Sequence, residues 1–334
     1  MKIAIVITAK NEARILRSNI LYHKAIGVCK AFVYFDNTTD NGKSSISDVD
    51  IVEMSHSVVD KYRNIKALEK FSQKAKNHHT ARQCLNTYDA LQKSKALGID
   101  WLISLDADEL VITDKIEVSD LKRFFGELDD SVDLVNFEPY EILQDRHSYN
   151  NVFAEALYFK TTHKFSRRID QIYKSFYNPF DKRYIKFSFW YGQHLGKAAL
   201  KVNSKQEIIP KNVHRYTYID GNRINSVSNK GMLHYHMFDA KDFIKKFKNF
   251  KDRPNHFLSG NKVDSLKLLC RDIVNSEDFT EETLIAYYKS NIMFSKGEVK
   301  KMLANKNRFF LKRKEKAIIK ITSVNKVFSK LIAK

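Results

Sequence analysis

The stretch that decides the fold is residues 101–111, which read WLISLDADELV. A mostly apolar run ends in two carboxylates, Asp106 and Asp108, and Glu109 follows at once. The apolar run has the length of a buried strand. If the backbone stays extended past Leu105, the side chains of Asp106 and Asp108 project to the same side, because strand side chains alternate with period two. The sequence therefore predicts an acidic pair at the end of a buried strand.

An acidic pair in that position indicates a divalent-metal site. Two carboxylates held together at a buried strand end are costly unless a cation lies between them. Hard cations such as Mg²⁺ use one or two carboxylates together with substrate phosphates. The alternative is a solvated turn that follows the strand and binds nothing. The spacing alone fits both interpretations.

The composition is that of a folded protein. The chain has 334 residues, 43% of them hydrophobic, which is enough for one large domain or two ordinary ones. With only 10 Gly and 4 Pro, a loop-dominated all-β design is not expected. The three cysteines, Cys29, Cys84 and Cys270, are too scattered for a disulfide framework or a metal-ligand spacing. This usage is typical of a reducing cytosol.

The hydrophobic runs are too short for secretion or membrane insertion. The first run, at residues 3–7, is cut off by Lys10, Asn11 and Glu12, well short of a signal peptide's apolar region. We find no run that approaches the roughly 18 apolar residues of a membrane-spanning helix. We therefore expect a cytoplasmic protein whose first strand begins the fold.

Strands and helices alternate along the first part of the chain, and polar clusters follow the strands. Polar residues come after the strands predicted at 3–8, 31–35 and 101–105. This alternation is typical of an α/β protein with a parallel sheet, whose ligands bind at the carboxyl ends of the strands. The acidic pair would therefore lie where such a fold places a nucleotide. Further predicted elements are helices at 12–26, 79–97, 240–250, 263–274 and 280–288, strands at 51–54 and 134–137, and an aromatic, antiparallel or irregular region at 138–209.

These blocks resemble the family 2-like glycosyltransferases of the GT-A fold, and in particular a bacterial subgroup with an Asp-x-Asp-Glu block. The resemblance covers roughly residues 1 to 250, and its N-terminal and Asp-x-Asp-Glu blocks are the most specific. One departure is Lys201, where an Arg is common, so a phosphate contact there would be a point charge instead of a bidentate fork. The matching blocks are IVITAKNE at 5–12, FDNTTDNG at 35–42, WLISLDADE at 101–109, QHLGKAALK at 193–201, VHR at 213–215 and LHY at 233–235.

The resemblance implies a GT-A type, Rossmann-like nucleotide-diphospho-sugar transferase fold. Its central sheet would be mainly parallel and C-terminal helices would follow. The glycosyltransferase domain would span 1–250, with a nucleotide-binding half at about 1–112 and an acceptor-side half at about 113–250. Residues 251–334 would form a helical C-terminal region with a basic amphipathic tail.

The activity implied is metal-dependent transfer of a sugar from a nucleotide-diphosphate donor, a UDP-sugar in particular, to a glycan or glycolipid. Such an enzyme would be inverting and would act in bacterial surface polysaccharide, capsule or lipopolysaccharide biosynthesis. Mn²⁺ or Mg²⁺ would stabilise the charge that develops on the diphosphate leaving group. An inverting transfer also needs a general base for the acceptor hydroxyl proton.

The resemblance assigns candidate residues to each of these tasks. For Asp36 a turn-capping role is an open alternative, and for Arg82 a plain surface charge. Candidate metal ligands are Asp106, Asp108, His214 and His234, with His236 on the same face as His234 if the chain is extended. Candidate donor-binding residues are Thr8, Asn11, Glu12, Asp36, Arg82, Asp106, His194 and Lys197. Candidate catalytic residues are Glu109 and Glu138, with Glu141 and Asp145 as further carboxylates.

The C-terminal segment carries most of the excess charge. From Lys296 to the end, 13 Lys or Arg face two Glu, which is +11 of the chain's +19. Apolar residues recur there every three or four positions, which predicts an amphipathic helix with a basic face, suited to an anionic inner-membrane surface. An ordinary helix docked on the body is the alternative. The apolar positions are Ala317, Ile321, Val324, Phe328 and Leu331.

Two other functions can be weighed against the sequence. A sugar-phosphate nucleotidyltransferase needs a Gly-rich phosphate loop after the first strand, and residues 8–12 (TAKNE) contain no glycine. A nucleic-acid binder needs basic residues interleaved with aromatics across a folded face. Here the excess charge is concentrated in one terminal segment, so we expect no nucleic-acid partner.

Overall fold

The computed structural model describes residues 1–161, 195–256, 260, 262–263, 265–303 and 318–332. Its strands are β1 Ile3–Ala9, β2 Lys30–Phe35, β3 Val52–His56, β4 Trp101–Leu105, β5 Glu109–Val111, β6 Leu134–Ile142, β7 Tyr158–Lys160, β8 Lys197–Lys201, β9 Ile208–Asn212, β10 Arg215–Tyr218, β11 Ser226–His234 and β12 Ile318–Lys320. Its helices are α1 Ala13–Ala25, α2 Glu69–Lys74, α3 His79–Ala96, α4 Leu121–Gly126, α5 Val152–Glu155, α6 Ala240–Lys248, α7 Ser265–Asn275, α8 Glu281–Asn291, α9 Lys296–Leu303 and α10 Ser323–Ile332.

Ten of these strands form one mainly parallel sheet, in agreement with the predicted α/β class. The main path runs β12-β7-β6-β8-β4-β1-β2-β3, while β11 pairs with β6 and β5. Strands β1, β2, β3 and β4 are mutually parallel. Strand β8 runs against both β4 and β6, so β6 points the same way as β4. The carboxyl ends of the parallel strands therefore share one edge of the sheet.

The central strands are buried on both faces, as expected for a parallel sheet covered by helices. Alternate residues of β1 enter different cores, with Ile5 in the larger one and Val6 in the smaller one. Helix α1 packs Leu16 and Ile20 against the larger core. These contacts hold the ends of β1 and β4 in register, with Ile7 opposite Leu105.

The region from 138 to 209 is antiparallel where the structure describes it. Strand β6 is longer than predicted and continues to Ile142. Strands β7 and β8 both run antiparallel to β6. Residues 162–194, including most of the predicted aromatic pieces, lie outside the described residues.

The C-terminal helix differs from its prediction. Residues 318–320 form the edge strand β12, which pairs with β7, and α10 begins only at Ser323. The apolar side of α10 is buried in the main core, where Phe328 stacks on Tyr22 and Phe153. The apolar side of α10 is therefore docked on the body of the protein, and contact of its basic face with a membrane stays a prediction. Within the described ranges, no helix is both long and apolar enough to cross a bilayer.

The helices after β11 form a separate apolar cluster beside the sheet. Phe243 and Phe247 of α6 pack there with Cys270 of α7 and Tyr288 of α8. The cluster joins both sides of the predicted boundary at residue 250, and that boundary stays a prediction. The packing in this cluster holds α6 beside the sheet.

Candidate active site

The acidic block after β4 is a turn instead of a continued strand. The amide of Glu109 donates to the carbonyl of Asp106 at 3.1 Å. The amide of Asp106 donates in return to the Glu109 carboxylate at 2.7 Å. The backbone is therefore not extended past Leu105, and the condition under which Asp106 and Asp108 would project to the same side is not met. Because the turn breaks the two-residue alternation, Asp106 and Asp108 contact different partners.

Asp106, whose side chain is 37% exposed, forms an ionic cluster with the buried Lys197 and Glu109. The Lys197 ammonium lies 2.9 Å from the Asp106 carboxylate and 3.8 Å from that of Glu109. Lys197 and Glu109 are each only 1% exposed. Burial would raise the pKa of Asp106, but the attraction of Lys197 outweighs it and lowers that pKa. Burial raises the pKa of Glu109 to about 7, against the opposing effect of Lys197.

Asp108 belongs to a second cluster with His234, His236 and Lys246. The Lys246 ammonium lies 3.0 Å from the Asp108 carboxylate and 2.6 Å from Nδ1 of His236. One ligand atom each from Asp108, His234 and His236 lies within 4.8 Å of the other two. One carboxylate and two imidazoles form a donor set that suits Mn²⁺ or another first-row ion better than Mg²⁺, which prefers oxygen. These residues fit a divalent cation.

His234 is oriented by sheet register and by a second carboxylate. It lies opposite Glu109 on one side and opposite Glu141 on the other. Its Nδ1 is 3.3 Å from the Glu141 carboxylate, and its Nε2 is 3.7 Å from Asp108. Burial opposes protonation of His234, but Asp108 and Glu141 outweigh it and raise the pKa. A carboxylate in this position fixes the orientation of the His234 ring.

Asp36 and Arg82 form a buried pair at the end of β2. The guanidinium of Arg82 holds both carboxylate oxygens of Asp36, and His79 donates to the same group. The Arg82 side chain is 11% exposed, so it is no plain surface charge. Burial would raise the pKa of Asp36, but the hydrogen bonds from His79 and Arg82 lower it.

Helix α3 connects this pair to the acidic turn. Arg82 reaches Asp36, while the next residue, Gln83, donates to the Asp106 carboxylate. A cleft of about 390 Å³ opens beside Asp36. The basic side chains that line it are Lys43, His56, Lys76 and Arg82. A cationic cleft next to an acidic turn suits a phosphorylated ligand that also binds a metal.

The turn after β1 lies at the same edge. Asn11 has φ 57°, a left-handed conformation that Asn tolerates, and its side chain accepts from the amide of Thr39 at 2.8 Å. Glu12 pairs with Lys245 of α6 at 2.5 Å. The Thr8 hydroxyl accepts from Asn86 of α3 at 2.9 Å. These contacts link Thr8 to α3, Asn11 to the loop after β2 and Glu12 to α6.

The remaining predicted residues lie in different places. His214 hydrogen-bonds the carbonyl of Gly196 at 2.9 Å and is not in the group of Asp108, His234 and His236. Glu138 is half-buried on β6. Lys201 donates to the carbonyl of Asp130, at the far end of β8 from Lys197. His194 lies outside the described residues.

Three residues of the site escape the sequence analysis. His79 lies three residues before Arg82 and four residues before Gln83 on one helix, and these spacings are a signal that could have found them. Lys246 gives no such signal, because it lies 138 residues from the carboxylate that it contacts. It appears only as one lysine of a basic helix.

Sequence comparison finds two relatives in Arabidopsis thaliana, both described as glycosyltransferase-like. One is 23% identical over 83% of this chain and 62% of its own length. The other is 22% identical over 86% of this chain and 57% of its own length. The chain thus spans about 60% of the length of the curated relatives that it matches. No family model matches the sequence.

Solved structures give only distant likenesses. Staphylococcus aureus TarS 1–349 in complex with UDP aligns with 86% of this chain and 71% of its own, at 10% identity and a TM-score of 0.36. Mannosyl-3-phosphoglycerate synthase from Rubrobacter xylanophilus aligns with 60% of this chain and 53% of its own, at 11% identity and a TM-score of 0.30. At these scores the likeness carries no argument, and the fold class rests on the strand order above.

Proposed function

We propose that this chain, a glycosyltransferase-like protein of the GT-A class, moves a sugar from a nucleotide-diphosphate donor to a hydroxyl group of a glycan or glycolipid. The donor is a UDP-sugar and the reaction uses a divalent cation. One observation carries the proposal. The turn after β1, the Asp36 cleft and the acidic turn after β4 meet at one edge of the sheet, joined by α3.

The donor's nucleotide is assigned to the Asp36 cleft. Its volume of about 390 Å³ lies within the range of small-molecule sites. Lys43, Lys76 and Arg82 bring positive charge toward an anionic ligand. Asp36 is kept ionised by Arg82 and His79, so it can accept hydrogen bonds from a base or ribose.

The cation is assigned to Asp108, His234 and His236. When bound, it would stabilise the negative charge of the departing diphosphate as a Lewis acid. Glu141 orients His234 from behind. Lys197 holds the Asp106 carboxylate of the same turn and thereby fixes the turn's shape. This ligand set keeps Asp108 and His234 of the predicted metal residues, adds His236, and leaves Asp106 and His214 beside it.

A titration with sugar nucleotides tests the donor assignment. We expect one UDP-sugar, among a panel of nucleotide sugars with and without Mn²⁺, to raise the melting temperature and to be hydrolysed slowly. Arg82→Lys should weaken UDP binding about tenfold, because a lysine cannot hold both oxygens of Asp36. The matched control is Arg123→Lys, at an exposed position of α4. This variant should bind UDP as the wild type does.

Two outcomes would contradict the donor assignment. If no nucleotide sugar stabilises the protein or is hydrolysed, either with or without Mn²⁺, the proposed function is wrong. Equal loss of UDP affinity in Arg82→Lys and Arg123→Lys would remove the Asp36 cleft as the nucleotide site, even if the enzyme is active.

Inversion requires a general base, and Glu109 and Glu138 stay the predicted candidates. The pKa of about 7 for Glu109 would suit a base at neutral pH. Its burial and its hydrogen bond to the Asp106 amide argue against contact with an acceptor. Glu138 is more exposed, and we assign the base to it.

Paired glutamine variants distinguish the two carboxylates. Glu138→Gln should lower kcat by about 100-fold, the lower end of the range for a lost general base. Glu109→Gln should lower it less than about tenfold, because glutamine still accepts the Asp106 amide hydrogen bond. The pH profile of kcat provides the check. If Glu109→Gln instead loses an acidic limb near pH 7, Glu109 is the base.

The acceptor and the cellular setting rest on the resemblance alone. We propose a bacterial surface glycan or glycolipid, as in capsule or lipopolysaccharide biosynthesis. Any contact with an anionic membrane would use the lysines of α10, since its apolar side is buried. Lys330 is exposed and Lys326 is half-exposed beside Glu117. Salt-sensitive sedimentation with anionic vesicles measures that contact, and its absence at low salt would exclude it.

A further inference from the structure

Lys246 lies in the middle of the group that fits a divalent cation. Its ammonium contacts the Asp108 carboxylate at 3.0 Å and the Nδ1 of His236 at 2.6 Å. Those residues supply two of the three ligand atoms of the group. Because a lysine ammonium has donors only, Nδ1 of His236 accepts this hydrogen bond, so His236 is in the form that also binds metals.

A metal ion and this ammonium cannot occupy the same place. An ion bound by Asp108 and His236 would lie roughly 2.0–2.2 Å from both ligand atoms. The Lys246 nitrogen already lies 3.0 Å and 2.6 Å from Asp108 and His236. An ion on the same two atoms would therefore lie close to this ammonium, and the two positive centres would repel each other. We infer that Lys246 is an internal cation that competes with the divalent ion for Asp108 and His236 and must leave when the ion binds.

The helix that carries Lys246 is too firmly held to leave with it. The side chain of Asp239 caps α6 by accepting from the Asp242 amide at 2.9 Å and is itself held by Arg14 at 2.7 Å. Phe243 and Phe247 anchor the buried side of the helix. The Lys246 side chain, in contrast, is 33% exposed. The exchange is therefore a side-chain rotation away from Asp108, with α6 left in place.

Helix α6 and the residue after it also contact the turn after β1, which carries residues proposed to bind the donor. Lys245, next in the chain, pairs with Glu12 at 2.5 Å, and Asn249 accepts from the Asn11 side chain at 3.0 Å. Lys246 thus lies between the cation group and residues proposed for the donor. Its role is to set the cation affinity of the site: ion binding must break an ion pair that is already made.

Cation affinity measures this competition directly. We expect Lys246→Met to bind Mn²⁺ at least about tenfold more tightly than the wild type, because the competing charge pair is gone. The matched control is Lys248→Met, which removes an exposed lysine of the same helix with the same change in net charge. Free Mn²⁺ in titrations of the full chain is measured by electron paramagnetic resonance, with no sugar nucleotide present.

A measurement on the wild type makes the test independent of folding of the variant. Lysine acetylation by a water-soluble active ester, followed by peptide mass spectrometry, reports the exposure of each ammonium. Mn²⁺ should raise the labelling rate of Lys246 several-fold and leave that of Lys248 unchanged. Unchanged labelling of Lys246 at saturating Mn²⁺ would overturn the inference.

The inference rests on the proposed metal site, and the two fail differently. If wild type and Lys246→Met bind Mn²⁺ equally well, the competition is absent while the metal site stands. If neither binds Mn²⁺, the metal site itself is wrong and the competition falls with it. If only Lys246→Met binds, the lysine is the stronger occupant of the two.

Discussion

Asp108→Asn is expected to abolish Mn²⁺ binding and to lower kcat/KM with the nucleotide-sugar donor by about 10³-fold. The carboxylate is the only negative charge in the group with His234 and His236. Without it the site retains two neutral donors, and the several kcal/mol by which a metal stabilises the leaving diphosphate are lost. Calorimetric Mn²⁺ titration and initial rates measure both effects.

Asp106→Asn is the comparison that makes this prediction specific. The Asp106 carboxylate is held by Lys197 and Gln83 and is not in the cation group. We therefore expect Asp106→Asn to keep Mn²⁺ affinity within about tenfold of the wild type, the scale of an outer-shell change. Equal loss of Mn²⁺ by both variants would mean that the two carboxylates bind the ion together. If circular dichroism shows that Asp108→Asn is unfolded, the acidic block at residues 106–109 has a structural role instead.

Lys197→Met is expected to lower the free energy of unfolding by about 3–5 kcal/mol at pH 8. The substitution removes the cation that Asp106 and Glu109 share and leaves the buried Glu109 carboxylate without this cation beside the partly exposed Asp106. Chemical denaturation of the purified chain measures the loss. The matched control is Lys201→Met at the other end of β8, where the ammonium donates to the backbone carbonyl of Asp130. It should change stability by less than about 1 kcal/mol.

The pH dependence of Lys197→Met gives a second, sign-specific check. Without the lysine, the folded-state pKa of Glu109 rises further above its unfolded value, and the pKa of Asp106, which Lys197 holds low, rises as well, because the attraction is gone. A group whose folded pKa is raised stabilises the protein below its unfolded pKa, and that stability is lost as pH rises through the folded pKa. The deficit of Lys197→Met should therefore shrink from pH 8 to pH 5. A deficit that grows toward pH 5 would show that packing, and not charge, is responsible.

Much of the fold follows from local patterns in the sequence. The strands ending at Ala9, Phe35 and Leu105 begin and end within a residue or two of their predictions, as do α1 and α3. Short apolar runs bounded by turn-forming residues are strong local signals. The parallel arrangement followed from the alternation of strands with helices. That arrangement also brought the polar strand ends to one edge.

Other features depended on partners far away in the chain. The apolar side of α10 has the same pattern whether it covers a membrane or a protein core, and only its contacts with Tyr22 and Phe153 decide. For Arg82 the alternative was a plain surface charge, and for Asp36 it was a turn-capping role. Their pairing appeared once α3 was placed beside β2.

The acidic block combines both cases. By itself the sequence determined that carboxylates end a buried strand at the ligand edge of the sheet, because burial and strand length are local properties. Only the tertiary structure decided which cation each carboxylate meets. A turn sends Asp106 to Lys197 and Asp108 to His234, His236 and Lys246, over separations of about 90 to 140 residues. Charges attract over any sequence distance, so their pairing is fixed by the packing of the sheet and α6.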